Sequence, residues 1–249
     1  MRAPRGLQAL VAEASSPTWL LTVILLTTIA GLLIYPEYSI VSGGAAGSTF
    51  IELPDGRDYL VKRVLGSTVN SYIFMVRDDL ATALAVVAPL AASVSLAYSL
   101  ESGVERFWLQ YLHSRRSVLY FSRALSLFLW LLVATLVVLL LVPLSLSYGL
   151  GSTMARYGLV VMLVEAAALA SIYSGLSLLA ASVAPRTPVA LALGIGGGFA
   201  LAELAVKQYP LTLPLSQLGE IHAVRLYSYL ATGALLTALG YLAYSRRDL

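Results

Sequence analysis

The sequence predicts an all-α integral membrane protein with six transmembrane helices and both termini cytoplasmic. Three observations carry that reading. First, 59% of the 249 residues are hydrophobic and 12% are charged, against about 45–50% and about 25% in a soluble domain. So little charge could not cover a globular surface. Second, the apolar excess, a mean hydropathy of +0.82, is gathered into long runs. Residues 18–35, 80–100, 124–148, 157–184, 187–206 and 226–245 each meet or approach the ~20 residues that cross ~30 Å of hydrocarbon. Third, four of these runs hold no charge, and the fourth and fifth hold one carboxylate each, Glu165 and Glu203. In lipid such runs must be helices, which satisfy their own backbone hydrogen bonds. The short alternating segments of a β-barrel are absent.

The first run follows Arg2 and Arg5, yet its apolar core is longer than a signal-peptide h-region and Glu13 sits in its flank. It reads as an uncleaved span, preceded by a short surface helix over 6–17 that ends at Ser15-Ser16-Pro17. Residues 36–79 form a long outer connection, Gly/Ser-rich at first and amphipathic from Tyr59 to Val76. A structureless loop of that length would be unusual, so a helix on the outer face is expected there. Residues 208–225, with Pro210 and Pro214, are too short to span and read as a re-entrant or interfacial hairpin. With the termini inside, the inner segments hold nine of the sixteen Lys/Arg: Arg2, Arg5, Arg106, Arg115, Arg116, Arg123, Arg186, Arg246 and Arg247. They are also the shorter segments, so their basic density is the higher, as the positive-inside rule requires.

The inner connection after the second span stands apart. It runs from Glu101 and Gly103 through Arg106, Phe107, Trp108, Tyr111 and Leu112 to Ser114, Arg115 and Arg116, with Arg123 beyond. Two readings are open. It is a juxtamembrane amphipathic helix, with aromatics at the headgroups and arginines on anionic lipid. Or it docks a cytosolic partner, since Trp, Tyr and Arg are the residues of interface hot spots.

This order resembles the loop after the second helix in six-span permeases of the ABC type-2 exporter class. That loop runs from an acidic residue through Gly-Thr, an aliphatic helix, Pro and a Ser-Arg pair to a basic residue before the third helix. Glu101, Gly103, Ser114-Arg115 and Arg123 match it, while Val104 replaces Thr and Leu112 replaces Pro. The ending Ser245-Arg246-Arg247-Asp248-Leu249, the long first outer loop and the Pro-containing hairpin are also similar to that class.

The resemblance implies a permease subunit of the plasma membrane that dimerises with itself or with a related chain. Residues 101–123 would be the coupling segment, whose 101–116 part inserts into a separate ABC ATPase. Phe107, Trp108, Tyr111 and Leu112 would be the docking residues, with Arg106, Arg115 and Arg116 as a polar rim. ATP and Mg would sit on the partner, and this chain would hold no cofactor. The sequence agrees that the ATPase must be another chain, because no G-x-x-x-x-G-K-[ST] occurs. Gly194-Ile195-Gly196-Gly197-Gly198 lies mid-span with no following Lys. Its Gly194, Gly198 and Ala202 instead form a small-xxx-small ladder for close helix approach.

The competing class is a membrane-embedded enzyme. Neither histidine, His113 or His222, falls within a span, and Gly175-Leu176-Ser177 has no later in-span His to serve as its base. No catalytic residue is assigned. With no cysteine, thiolate metal sites and disulfides are excluded, and a net charge of +3 is too small for a nucleic-acid binder. Absent Cys and a single Asn, Asn70, fit a heat-adapted protein, while only two lysines run against that trend. A carboxylate at mid-bilayer costs about 2.5–3.5 kcal/mol on insertion scales. Glu203 precedes Lys207 by four residues, a favourable helical pairing. Glu165 has no cation one turn away and is expected, with Gly194 and Gly198, along a substrate path or a dimer seam. The alternatives to a permease are an accessory membrane scaffold subunit or an ion-coupled carrier. A carrier should show repeated broken helices and deep ionisable groups, which this sequence lacks.

Overall fold

The computed structural model describes residues 21–32, 79–112, 116–150, 153–184, 186–203 and 220–247. The expected surface helices over 6–17 and 59–76 and most of the hairpin over 208–225 lie outside the described residues, as do His113, Ser114 and Arg115. Among the described residues there are seven helices and no strand. They are α1 (Leu21–Leu32), α2 (Asp79–Glu101), α3 (Val104–Leu112), α4 (Arg116–Leu150), α5 (Thr153–Val183), α6 (Thr187–Leu201) and α7 (Glu220–Ser245).

Among the described residues, three helices are long and apolar enough to cross a membrane: Asp79–Glu101, Arg116–Val138 within α4 and Leu163–Val183 within α5. The polarity of the bundle is that of a protein solvated by hydrocarbon. On α4, Phe121, Leu125, Leu129, Val133 and Val137 recur every fourth residue and are each 39–47% exposed. Many hydroxyls are buried, at Ser93, Ser122, Ser126, Thr135, Ser174, Ser177 and Ser182, while Ser228 and Thr232 on α7 are exposed. An apolar stripe of that length is foreign to the surface of a soluble monomer.

Helix α4 begins at Arg116, eight residues ahead of the apolar run at 124, and its 35 residues measure about 52 Å at a rise of 1.5 Å each. That exceeds the hydrocarbon thickness by about 20 Å, so the helix outlasts the run that marks it in the sequence. Arg123, expected ahead of the third helix, is therefore inside it.

Two sets of close contacts organise the helices. Pro89 interrupts α2: it carries no N–H, which deprives the Ala85 carbonyl of its helical partner, and a π-helical turn follows at Ser93–Ala97. The glycine ladder of α6 packs onto this proline segment. A Cβ built at Gly194 would lie 2.6 Å from Pro89 Cβ, and one at Gly198 would lie 2.9 Å from both Cα and O of Ala85. The helix that the ladder admits is thus α2 of the same chain. The second set joins α5 to α7. Gly175 and Gly233 meet backbone to backbone, Gly240 sits against Leu179 Cα, and Ser171 Oγ donates to the Leu230 carbonyl at 3.3 Å. Gly175, of the Gly175-Leu176-Ser177 triplet, is thereby a packing residue. Backbone approach of this kind replaces the hydrophobic drive that lipid cannot supply between helices.

Candidate docking site

Five helix ends converge at one end of the bundle: the C-termini of α2, α5 and α7 and the N-termini of α4 and α6. Hydrogen bonds between them fix that arrangement, so α2, α4, α5, α6 and α7 alternate in direction. The described residues 101–112, 184, 186 and 245–247 all lie at this end.

Helix α3 is set off from α2 by Ser102 and Gly103. Gly103 has φ 74, a left-handed conformation that costs other residues about 1–2 kcal/mol. The turn is closed by the Arg106 amide, which donates to the Gly103 carbonyl at 3.1 Å. Nine residues would be a marginal helix in isolation, and α3 is anchored through its inner face. Glu105 is fully buried there. Its Oε2 lies 2.5 Å from Arg123 Nη1, and its Oε1 accepts a hydrogen bond from the Tyr244 hydroxyl. One carboxylate on α3 thereby holds both α4 and α7. Tyr244 belongs to an aromatic cluster, its ring 5.3 Å from that of Tyr120, which in turn lies 5.6 Å from Tyr241.

The other charges at this end cap helices. The first N–H groups of a helix lack intrahelical acceptors, and α6 begins without a side-chain cap of its own. Glu101 supplies one, its Oε2 accepting from the Thr187 amide at 2.8 Å and from the Thr187 hydroxyl at 2.5 Å. An anion at a helix N-terminus also complements the macrodipole. At the opposite polarity, Arg116 Nη1 donates to the carbonyls of Ser245 at 3.3 Å and Arg247 at 2.9 Å. Arg247 donates to the carbonyl of Ala184, just past α5. Partial burial draws the Arg247 guanidinium below its ordinary value.

Both described acids of this end, Glu101 and Glu105, are therefore engaged within the chain. Arg106, Arg186 and Arg246, from three different connections, are exposed. Beside them Phe107 is 60% exposed and Val104 is exposed as well. Trp108 is half-exposed, its ring edge-on to Phe107 at 6.2 Å. The surface offered by α3 is apolar and aromatic, within a positively charged rim.

Of the residues expected in the coupling segment, Glu101, Gly103, Arg106, Phe107, Trp108 and Arg116 are brought together at this end. Tyr111 and Leu112 lie on the last turn of α3. Arg116, expected as part of a polar rim, is half-buried and donates to carbonyls at the end of α7. Glu165, Gly194 and Gly198 lie elsewhere, the first 4% exposed within the bundle and the glycines against α2. Glu203 is exposed, one residue past Ala202. Sequence reasoning missed Glu105, Tyr244 and Thr187. The one signal for Glu105 was an acid eighteen residues before an arginine on the same inner side; nothing local pointed to the other two. No group of three His, Cys, Asp or Glu among the described residues is placed to hold a metal ion.

The sequence matches no family model and no curated protein.

Proposed function

We propose that this chain is the membrane subunit of an ATP-driven ABC exporter, and that α3 is the helix on which a separate ATPase subunit docks. The observation that carries the reading is α3 itself. A nine-residue helix outside the apolar runs is clamped by its buried face and presents Phe107, Val104 and Trp108 outward among exposed arginines. Aromatic anchors in a charged rim are the composition of an interface that buries a few strong contacts. Six spans with both termini cytoplasmic complete the reading. Support for that topology comes from the alternation in direction of α2, α4, α5, α6 and α7 and from Arg106, Arg116, Arg186, Arg246 and Arg247 gathered at one end. Two such subunits, identical or related, would enclose the path in the plasma membrane. ATP and Mg would be held by the ATPase, and closure of its nucleotide sites would push on α3.

The test is co-purification of the full chain with a co-expressed candidate ABC ATPase subunit, together with the hydrolysis that the complex stimulates. Trp108→Ala and Phe107→Ala should each lose capture and stimulation, while Leu125→Ala on the lipid-facing stripe of α4 should keep both. Wild-type capture and stimulation in the Trp108 and Phe107 variants would refute the docking role. An accessory scaffold would instead bind the ATPase without altering its rate.

A further inference from the structure

We infer that the centre of α5 is a hydrated site, where Tyr173 and Ser177 of α5, with Tyr229 of α7, bind ordered water inside the single chain. This site is independent of the docking reading and involves none of its residues.

The helices show what a hydroxyl ordinarily does in this bundle. Ser99, Ser122, Ser174 and Thr237 each donate to a carbonyl three or four residues back in their own helix, at 2.6–3.0 Å. The buried tyrosines Tyr120 and Tyr244 donate to the Thr237 carbonyl and to Glu105. Tyr173 and Ser177 do neither. Tyr173 is 0% exposed and Ser177 is 2% exposed, and neither hydroxyl has a hydrogen-bond partner among the described residues. Tyr173 is the middle residue of the membrane-length segment Leu163–Val183, at a depth where hydrocarbon offers no donor or acceptor. A hydroxyl left alone there is costly. Two of them one helical turn apart call for a ligand that both donates and accepts.

Four residues apart in the sequence, Tyr173 and Ser177 share a face of α5. Glu165, 4% exposed, stands two turns before Tyr173 in the same row. A long helical side chain leans toward the N-terminus of its helix, which carries the Tyr173 phenol back toward Glu165. On the adjoining helix, Tyr229 of α7 is near enough to Tyr173 to act on it electrostatically, yet it is not hydrogen-bonded to it. A polar pair that is close without touching is the geometry that a water molecule spans. Water also suits the row chemically, since it donates to a carboxylate and exchanges hydrogen bonds with hydroxyls, finding the about two to four polar partners that a buried water requires. An apolar ligand would leave both hydroxyls as they are. Tyr173, Ser177 and Glu165 are buried by the chain itself, so the site is complete without a second copy.

The test is X-ray radiolytic labelling of the full chain in lipid nanodiscs, in which bound water supplies hydroxyl radical to the side chains beside it and mass spectrometry reads the modified residues. Tyr173, Tyr120 and Tyr244 are all fully buried, so bulk water reaches none of them, and only Tyr173 lacks a protein partner for its hydroxyl. Tyr173 should be modified several-fold faster than Tyr120 and Tyr244, approaching Tyr98, which is 59% exposed. Ser177→Ala and Tyr229→Phe, each of which removes one hydroxyl, should slow modification at 173 several-fold. Slow labelling at 120 and 244 should persist in both variants, which shows that they are folded. Tyr173 labelled as slowly as Tyr120 and Tyr244 in the wild type would overturn the hydrated site. A wild-type rate at 173 in both variants would overturn the part assigned to Ser177 and Tyr229. The labelling uses no ATPase, so its outcome and that of the capture experiment stand or fall separately.

Discussion

The strongest quantitative consequence of the structure concerns removal of the Glu105 carboxylate. Glu105 is fully buried and Arg123 is 3% exposed, so Glu105→Ala leaves a guanidinium out of reach of water. Breaking a buried pair by deleting one member costs about 3–5 kcal/mol. Tyr244 is also fully buried, and a buried hydroxyl left without its acceptor costs about 1–3 kcal/mol by itself. The two terms share a partner and do not add, so the working figure for Glu105→Ala is about 3–5 kcal/mol. At ~2–4 °C per kcal/mol for a chain of this size, its thermal midpoint should fall by about 6–20 °C. The informative comparison is Glu105→Leu combined with Arg123→Leu. Replacing both members of a buried pair with apolar groups is often neutral or stabilising by about 1–4 kcal/mol, so this double variant should recover most of the loss. Glu105→Gln should fall between, because its amide oxygen still accepts from Tyr244. The assay is thermal unfolding of the full chain in detergent by circular dichroism, with the four corners of the cycle under one condition. Glu105→Ala within about 1 kcal/mol of wild type, the ordinary effect of a point substitution, would refute the buried pair. A double variant as unstable as the single one would do the same.

Other expectations follow from the same contacts. Gly103→Ala forces a side chain into a left-handed conformation and should cost about 1–2 kcal/mol, measurable in the same unfolding assay; an unchanged midpoint would mean that α2 and α3 are not joined by this turn. Gly198→Val places a branched side chain against the backbone of Ala85 and should destabilise by about 1–3 kcal/mol or more, as overpacked cores do. The equivalent change at Gly196, which has nothing within 4 Å of a built Cβ, should be far milder, and equal effects would refute the α2–α6 contact. Arg106→Gln, Arg186→Gln and Arg246→Gln should each slow association with the ATPase at low salt. Those differences should vanish near 1 M salt, where the Debye length is about 3 Å, because charges on a rim act chiefly on encounter. Salt-independent binding in all three would remove the charged rim.

The three described helices that could span, Asp79–Glu101, Arg116–Val138 and Leu163–Val183, were legible in the sequence because lipid leaves a long uncharged run only one solution. Where helices end was less so. Hydropathy marks the hydrocarbon boundary, whereas α4 continues two turns past it to Arg116, held by carbonyls of the last helix. Gly194 and Gly198 announced a close approach but not its partner. Pro89 held that information, since a mid-span proline both frees a carbonyl and flattens the surface that another backbone can approach. The segment after α2 could be read as aromatic and basic, yet its anchor could not. Glu105 sits between Val104 and Arg106, where it reads as one more polar residue of an exposed turn. Its partner Tyr244 is 139 residues away and resembles any tyrosine near a membrane boundary. Pairing at that separation is written only in the fold.

The division of labour between glycine and charge bears on how such a bundle could move. In hydrocarbon, helices are held by close packing and polar contacts rather than by expulsion of water. In this chain the close packing lies along the helices, at Gly175–Gly233 and at Gly194–Pro89, and the charged contacts lie at one end. Had stability alone been at issue, Leu at 105 and 123 would serve as well as an ion pair that must be desolvated. An ion pair differs from two leucines in being specific, since it tolerates one register and no other. The carboxylate at 105 thus sets where the short helix α3 sits on α4 and α7, through Arg123 and Tyr244, more than it adds to the net stability of the bundle.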